Sequence, residues 1–252
     1  MNLKNRLFAA SLHLSVSLLW AAFAWLLVFK LFYPYPFNEI SGGRQLFLLI
    51  VMVDVILGPL LTFTIVSPSK VRHVLMRDLI VIVAVQMTAL MYGLWTIYVA
   101  RPVYLVHEVD RFRVVSAADV DASDLAEAPV EFRRIAITGL QTIGIREARN
   151  GIEKLNSLEL ELAGRDLSLQ PGWWQPLSDE NRASIRQHGK SVALLRQRAI
   201  DGGAELDRIL RAAKLTDKDV IALPLVTRLA SWSVLLDKRN LKIVGYLPID
   251  LF

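Results

Sequence analysis

The sequence predicts an α-helical membrane protein: three transmembrane helices followed by a periplasmic α+β domain. Three observations lead there. Long apolar runs are confined to residues 1–101, although the whole chain is 54% hydrophobic. Charge divides at the same place, with eight Lys and Arg against three Asp and Glu in residues 1–101, and 21 of each in residues 102–252. Beyond Arg101-Pro102 the pattern becomes that of a globular domain, with short β-type runs and amphipathic segments. The net charge of +5 therefore sits beside the apolar runs, where it marks membrane topology and not a nucleic-acid partner.

The first span is expected over residues 7–32, an apolar run interrupted by His13 and Lys30 and longer than the roughly 20 helical residues a bilayer needs. Lys4, Arg6 and the Ala22-Phe23-Ala24 triplet also fit a cleaved signal peptide, but the apolar run continues through Trp25–Phe29, which a cleaved signal does not need. Tyr33, Pro34, Tyr35 and Pro36 form an aromatic, proline-broken exit suited to a membrane interface.

The second span is expected over residues 45–66, ended by Ser67-Pro68-Ser69, and the third over 79–99, closed by Arg101-Pro102. Lys4, Arg6, Lys70, Arg72 and Arg77 fall on one side, and only Arg44 is basic in the first loop. The positive-inside rule then places the N-terminus in the cytoplasm, and three crossings leave the C-terminal domain in the periplasm of a bacterium.

In residues 102–252, Val103–Val106 and Phe112–Val115 flank a polar Asp110-Arg111 and read as a hairpin. Ala117–Pro129 reads as a loop and Phe132–Ile137 as a strand. From Ile145 the spacing of Ile145, Ala148, Ile152, Leu155 and Leu158 is helical. Ser178 is an N-cap for a helix that buries Ile185, Val192, Leu195 and Ala199 until Asp201-Gly202-Gly203 breaks it. A short helix carries Leu206, Ile209 and Leu210, and Trp232–Leu236 with Leu241–Leu247 close the chain as a hairpin.

The sharpest chemical signal is Asp54, about nine residues, or roughly 14 Å, into its span. A charge there costs about 3 kcal/mol on insertion scales. It must meet a partner, water or the bundle interior, or carry a proton. Depth matching makes His13 and Gln86 its neighbours, an intramembrane polar cluster that reads either as a clamp between spans or as a contact for a partner's transmembrane helix. Gly58-Pro59 should kink the helix, because Pro59 offers no N–H to the Val55 carbonyl, and Gly58 also permits close helix approach. Trp173 and Trp174 read as a partner-recognition platform, a membrane-docking element, or a core anchor beside a proline turn. The Arg-rich stretch from Arg182 to Arg198 reads as a solvated face.

No catalytic constellation is visible. There are no cysteines, so no disulfide or thiolate chemistry is available. No two of His13, His73, His107 and His188 stand at metal-ligand spacing, and no P-loop, dinucleotide fingerprint or serine elbow occurs. Neither enzyme activity nor a cofactor is expected. A membrane-anchored periplasmic sensor or ligand-binding module is the alternative, against which stands the lack of a cytoplasmic output domain. An enzyme acting on lipid-linked sugars would need clustered carboxylates or a metal site.

In combination, Asp54-Val55-Ile56-Leu57-Gly58-Pro59-Leu60-Leu61-Thr62, Ala100-Arg101-Pro102-Val103-Tyr104 and Asp110-Arg111-Phe112 resemble the type IV pilin accessory proteins of the TfpX/TfpZ family. Gly164-Arg165-Asp166-Leu167 with Pro171, Gln175-Pro176-Leu177, and the closing hairpin with Leu247-Pro248 extend the likeness over most of the chain. Trp173-Trp174 departs from the tyrosine-rich pair of that pattern. The resemblance implies an inner-membrane, pilin-specific chaperone without enzymatic activity. Its partners would be the type IV major pilin, the pilus assembly machinery and the lipid bilayer, with Asp54, Gly58, Pro59, Trp173 and Trp174 as expected partner contacts.

Overall fold

A computed structural model describes residues 3–66, 71–199 and 203–251. The expected span end at Ser67–Ser69, Lys70, and the helix break at Asp201-Gly202 lie outside the described residues. The chain forms two compact units, Met1–Arg101 and Pro102–Phe252.

The first unit holds three long apolar helices. Helix α1 (Leu3–Leu26) continues as a π-helical stretch, Leu27–Phe32. After the short α2 (Phe37–Ile40), α3 (Gly43–Val51), a π-helical segment (Met52–Leu57) and α4 (Gly58–Ile65) run on as one stretch. The third is α5 (Arg72–Val99). The stretches measure 30, 23 and 28 residues, long and apolar enough to cross a membrane by length and composition. They alternate in direction. Arg6, at the start of α1, donates to the carbonyls of Phe63 and Thr64 at the end of α4, at 3.0 and 3.1 Å. A cation there suits the negative end of the helix dipole. At the other end Tyr33 donates to the Ile97 carbonyl at 3.2 Å. Tyr33 is fully buried and so is not the interfacial residue expected of it, whereas Tyr35 is exposed. The outward faces stay apolar: Leu19, Val85 and Tyr92 are 72%, 63% and 73% exposed, so these helices lack the polar face that water requires.

The second unit is built on one mixed sheet. Its strands are β1 (Pro102–Glu108), β2 (Arg111–Ser116), β3 (Gln141–Ile145), β4 (Trp174–Pro176), β5 (Lys190–Ser191), β6 (Val220–Val226), β7 (Ser231–Asp237) and β8 (Ile243–Leu247). The order is β4-β3-β1-β2-β6-β7-β8, with β5 pairing on β6. β1/β3 and β2/β6 are parallel and the remaining pairs antiparallel, so the sheet mixes both geometries where separate hairpins were expected. Helices α6 (Gly151–Leu162), α7 (Asp179–His188), α8 (Val192–Arg198) and α9 (Ala204–Ala213) complete it. Two cores result. One packs Tyr104, Val106, Val115, Phe132, Ile143 and Trp174, and the other packs α8 and α9 through Leu195, Leu206 and Leu210 onto Val220, Leu235 and Leu247.

Several expectations need correction. The first hairpin turns one residue early, at Val109-Asp110, because Glu108 pairs with Arg111; Val109 takes φ 52° to do so. Phe132–Ile137 is not a strand. Val130–Phe132 is a 3-10 turn that drops Phe132 into the core, and the strand is β3. Ile145 belongs to β3, and the helix begins only after Asn150, whose side chain accepts from the Glu153 N–H. Its apolar stripe is not buried, since Ile152, Leu155, Leu158 and Leu162 are 73%, 62%, 49% and 89% exposed.

The helix capped by Ser178 is interrupted at Gly189, where a Cβ would meet Ile221 at 2.7 Å and the Ile185 carbonyl at 3.0 Å. That contact lets β5 pair with β6 before Ser191 caps α8. Strand β6, which sequence reading overlooked, is central. It is buried on both faces and reads as an unbroken apolar run instead of an alternating one, with Pro224 at its middle.

Candidate functional site

The residues of interest among the three apolar helices are assembled by the irregularity at Asp54. In the π-helical segment each carbonyl looks to an N–H five residues on. For Asp54 that residue is Pro59, which has none. The Gln86 amide fills the gap, donating to the Asp54 carbonyl at 3.4 Å. The expected kink is thus replaced by a widened turn that ends at Gly58. Gly58 faces both neighbouring helices: a Cβ there would overlap Gln86 Nε2 and lie 3.0 Å from His13 Nε2. His13 Nδ1 and Thr62 Oγ1 are 2.6 Å apart. His13, Asp54 and Gln86 thus meet around Gly58, with Thr62, which sequence reading missed, as a fourth member. The signal for Thr62 was available, since it lies one helical turn after Gly58.

Asp54 is only 7% exposed, and among the described residues neither its Oδ1 nor Gln86 Oε1 has a hydrogen-bond partner. Asp54 and Gln86 both line a cavity of about 290 Å³ between α1 and α5, walled by apolar side chains including Val16, Trp20 and Val83, and Asp54 also borders a second cavity against Ile50 and Gly93. A buried, unmatched acceptor costs about 1–3 kcal/mol, so this is an arrangement that a donor would complete.

The Trp173-Trp174 pair behaves differently. Trp174, expected to touch a partner, has no exposed surface. Its ring lies 4.7 Å from Tyr104 and 6.5 Å edge-on to Phe132, and its Nε1 donates to the Ser168 carbonyl at 2.9 Å. Trp173 is covered by Arg146, whose guanidinium stands 4.4 Å from the ring centroid. Neither offers a free aromatic platform, because the proline-flanked connector turns both inward.

Arg146 is itself held as a fork by Glu153, at 3.0 and 2.6 Å, and donates to the Gly172 carbonyl at 3.0 Å. These bonds, with the Arg149 N–H, bring the Glu153 carboxyl down to about 2 from its ordinary 4.5. A depressed carboxylate contributes stability that is fully present above its unfolded value and lost as pH falls toward the folded one. Glu153→Gln should therefore destabilise the protein by a constant amount above pH 4.5, and the difference from wild type should shrink steadily from pH 4.5 toward 2. Urea titrations of both proteins across that range decide it, and a gap independent of pH counts against the fork.

The second unit also holds a cleft of about 690 Å³ lined by His107, Glu161, Trp173, Gln175, Asn181 and Ser184. Burial, reinforced by nearby His188, brings the His107 ring down to about 4 despite Asp110 and the Val109 carbonyl, so it is neutral at physiological pH. Among the described residues no group of three His, Asp or Glu is placed to hold a metal ion.

Comparison with known proteins assigns the chain. It is 36% identical over 258 residues to the fimbrial assembly protein of serogroup I of Dichelobacter nodosus, covering 100% of this chain and 99% of the relative. The chain belongs to the fimbrial assembly protein family. The serogroup E1 fimbrial assembly protein of the same organism is 34% identical over 257 residues, again 100% of this chain and 99% of the relative. The protein of serogroups C1 and C2 is 40% identical over 131 residues, 51% of this chain and 100% of that relative. The profile of the family described as fimbrial assembly protein FimB matches residues 1–42, which include α1 and His13. No solved structure matches the chain. Because the full-length relatives align across both units, membership of the family covers the helical unit and the mixed-sheet unit alike.

Proposed function

We propose that this fimbrial assembly protein is a non-enzymatic accessory protein of the bacterial inner membrane. In this reading it acts as a chaperone for the type IV major pilin, in the manner the TfpX/TfpZ resemblance implies, and hands the subunit to the pilus assembly machinery. The observation that carries the reading is full-length identity, at 36%, to a relative named for fimbrial assembly. The three apolar helices support insertion in a bilayer, where every backbone polar group must be satisfied within the segment. A fimbrial subunit held in the membrane before assembly would need a partner at that level, and the unmatched acceptors at Asp54 and Gln86 lie there. The test is co-expression with the pilin of the same organism. The subunit should co-purify with this chain in detergent, and deletion of the gene should remove fimbriae while other membrane proteins stay normal. Recovery of this chain without pilin, together with normal fimbriae in the deletion strain, defeats the reading.

The proposed topology has its own check, made simple by the absence of native cysteine. Single cysteines at Glu39 and Ser123 should react with a membrane-impermeant maleimide from the periplasmic side, and one at His73 only after the inner membrane is opened. Labelling of the His73 position in intact spheroplasts reverses the orientation. The alternative reading, a ligand-binding module, draws on the cleft around His107. Native mass spectrometry of the purified protein would favour it by finding a small molecule bound.

A further inference from the structure

We propose that the groove between α1 and α5 seats a single transmembrane helix of the partner, and that this helix presents a hydrogen-bond donor side chain, an ammonium above all, to Asp54 and Gln86. The inference rests on the reading that these helices span the membrane and deepens it by naming what the partner must carry.

The first and third helices pack chiefly on the second, α1 against α4 and α5 against α3 and α4, and meet each other at one end, where Phe32 packs on Tyr98. The space left between them has apolar walls, with Val16 47% and Val83 50% exposed, and a polar lining of His13, Ser17, Asp54, Thr62 and Gln86. An apolar helix laid in such a groove buries both walls. The polar lining sets its chemistry. His13 Nδ1 is paired with Thr62, whereas Asp54 Oδ1 and Gln86 Oε1 are acceptors with no donor among the described residues.

Depth excludes the commonest other occupant. Asp54 is the central residue of the 23-residue stretch Gly43–Ile65, so it lies about 16 Å from either end. A lipid headgroup stays at the interface, about 15 Å from the middle of a 30 Å hydrocarbon core, and an acyl chain has no donor. A helix with a polar side chain at mid-length brings a donor to that depth.

The probe is a synthetic transmembrane peptide of leucine and alanine with one lysine at its centre, compared with the same peptide carrying leucine there. Both bear a photoactivatable diazirine one turn from the centre. With the full-length protein reconstituted in phosphatidylcholine vesicles, the lysine peptide should cross-link about tenfold more than the leucine peptide, at α1 and α5 around Val16 and Val83. Asp54→Leu should abolish that preference. Equal cross-linking of the two peptides to the wild-type protein, or attachment of the lysine peptide elsewhere, overturns the proposal without depending on whether the variant folds. If the peptides discriminate but the pilin never co-purifies, the accessory reading falls and the groove's chemistry stands. If the pilin co-purifies and the peptides do not discriminate, the reverse holds.

Discussion

Trp174→Ala should destabilise the mixed-sheet unit by about 3–5 kcal/mol, the range for deleting a large buried aromatic. The side chain has no exposed surface and is the hinge of one core, touching Tyr104 on β1 and Phe132 on the turn before β3. Truncation leaves those two rings facing a void and strands the Ser168 carbonyl that accepted from the indole at 2.9 Å, adding about 1 kcal/mol. Against a typical domain stability of about 5–15 kcal/mol, such a loss leaves little margin. Trp174→Phe, which fills much of the void but not the hydrogen bond, should recover more than half of it. Urea denaturation followed by circular dichroism, on the full-length protein in detergent, ranks the three. A midpoint for the alanine variant within error of wild type removes the tryptophan from the core and reopens its reading as an exposed recognition residue.

This tryptophan shows how sequence and structure divide the information. The Pro-Gly-Trp-Trp-Gln-Pro string announces a rigid aromatic turn, but nothing in it says which way the rings point. That depends on Tyr104 and Phe132, which lie far off in the chain and come together only when β1 and β3 pair in parallel. The apolar helices are legible for the opposite reason. Length and hydropathy are local, so the three long helices appear as read, although the third begins at Arg72, seven residues before the expected 79. Strand β6 stayed hidden because a strand buried on both faces loses its alternation, and Pro224 argued against a central position. The Ile152–Leu158 spacing was read correctly as helical, yet the stripe is exposed, since periodicity marks a face without naming what covers it.

The polar cluster was more readable than the sheet. Inside an apolar run any polar side chain stands out, and counting residues from the span ends puts His13 and Gln86 about one and a half turns from Asp54 in depth, within reach of adjacent side chains. Sequence alone could not show the π-helical segment. It follows from Pro59 only when Gln86, on another helix, is present to occupy the Asp54 carbonyl. Asp54, Gly58 and Pro59 are therefore one device. The proline removes a backbone donor, the widened turn exposes a carbonyl, and the glycine lets Gln86 come close enough to reach it.

Gly58→Leu is accordingly expected to abolish fimbriation with the protein still present in the membrane, whereas Gly58→Ala should be nearly silent in stability. For alanine two effects oppose each other. The added Cβ overlaps Gln86 Nε2, the far end of a flexible side chain that can swing away at the loss of its 3.4 Å bond to Asp54. Replacing glycine within a helix returns about 1 kcal/mol, which offsets that weak bond. For leucine the balance tips. Its branch enters the volume held by Gln86 and by His13, whose Nε2 is already 3.0 Å from the Cβ position, and His13 is tied to Thr62 at 2.6 Å. Overpacking of this kind costs about 1–3 kcal/mol, more than helix propensity returns. Relief requires α1 or α5 to move off the second stretch, which reshapes the cavity that Asp54 and Gln86 line. Thermal midpoints of the purified variants in detergent should fall in the order wild type, alanine, leucine, with the larger step last. Fimbriae counted by electron microscopy should be lost only with leucine. Wild-type fimbriation and an unchanged midpoint in Gly58→Leu would show that close approach at Gly58 is not what organises the three helices.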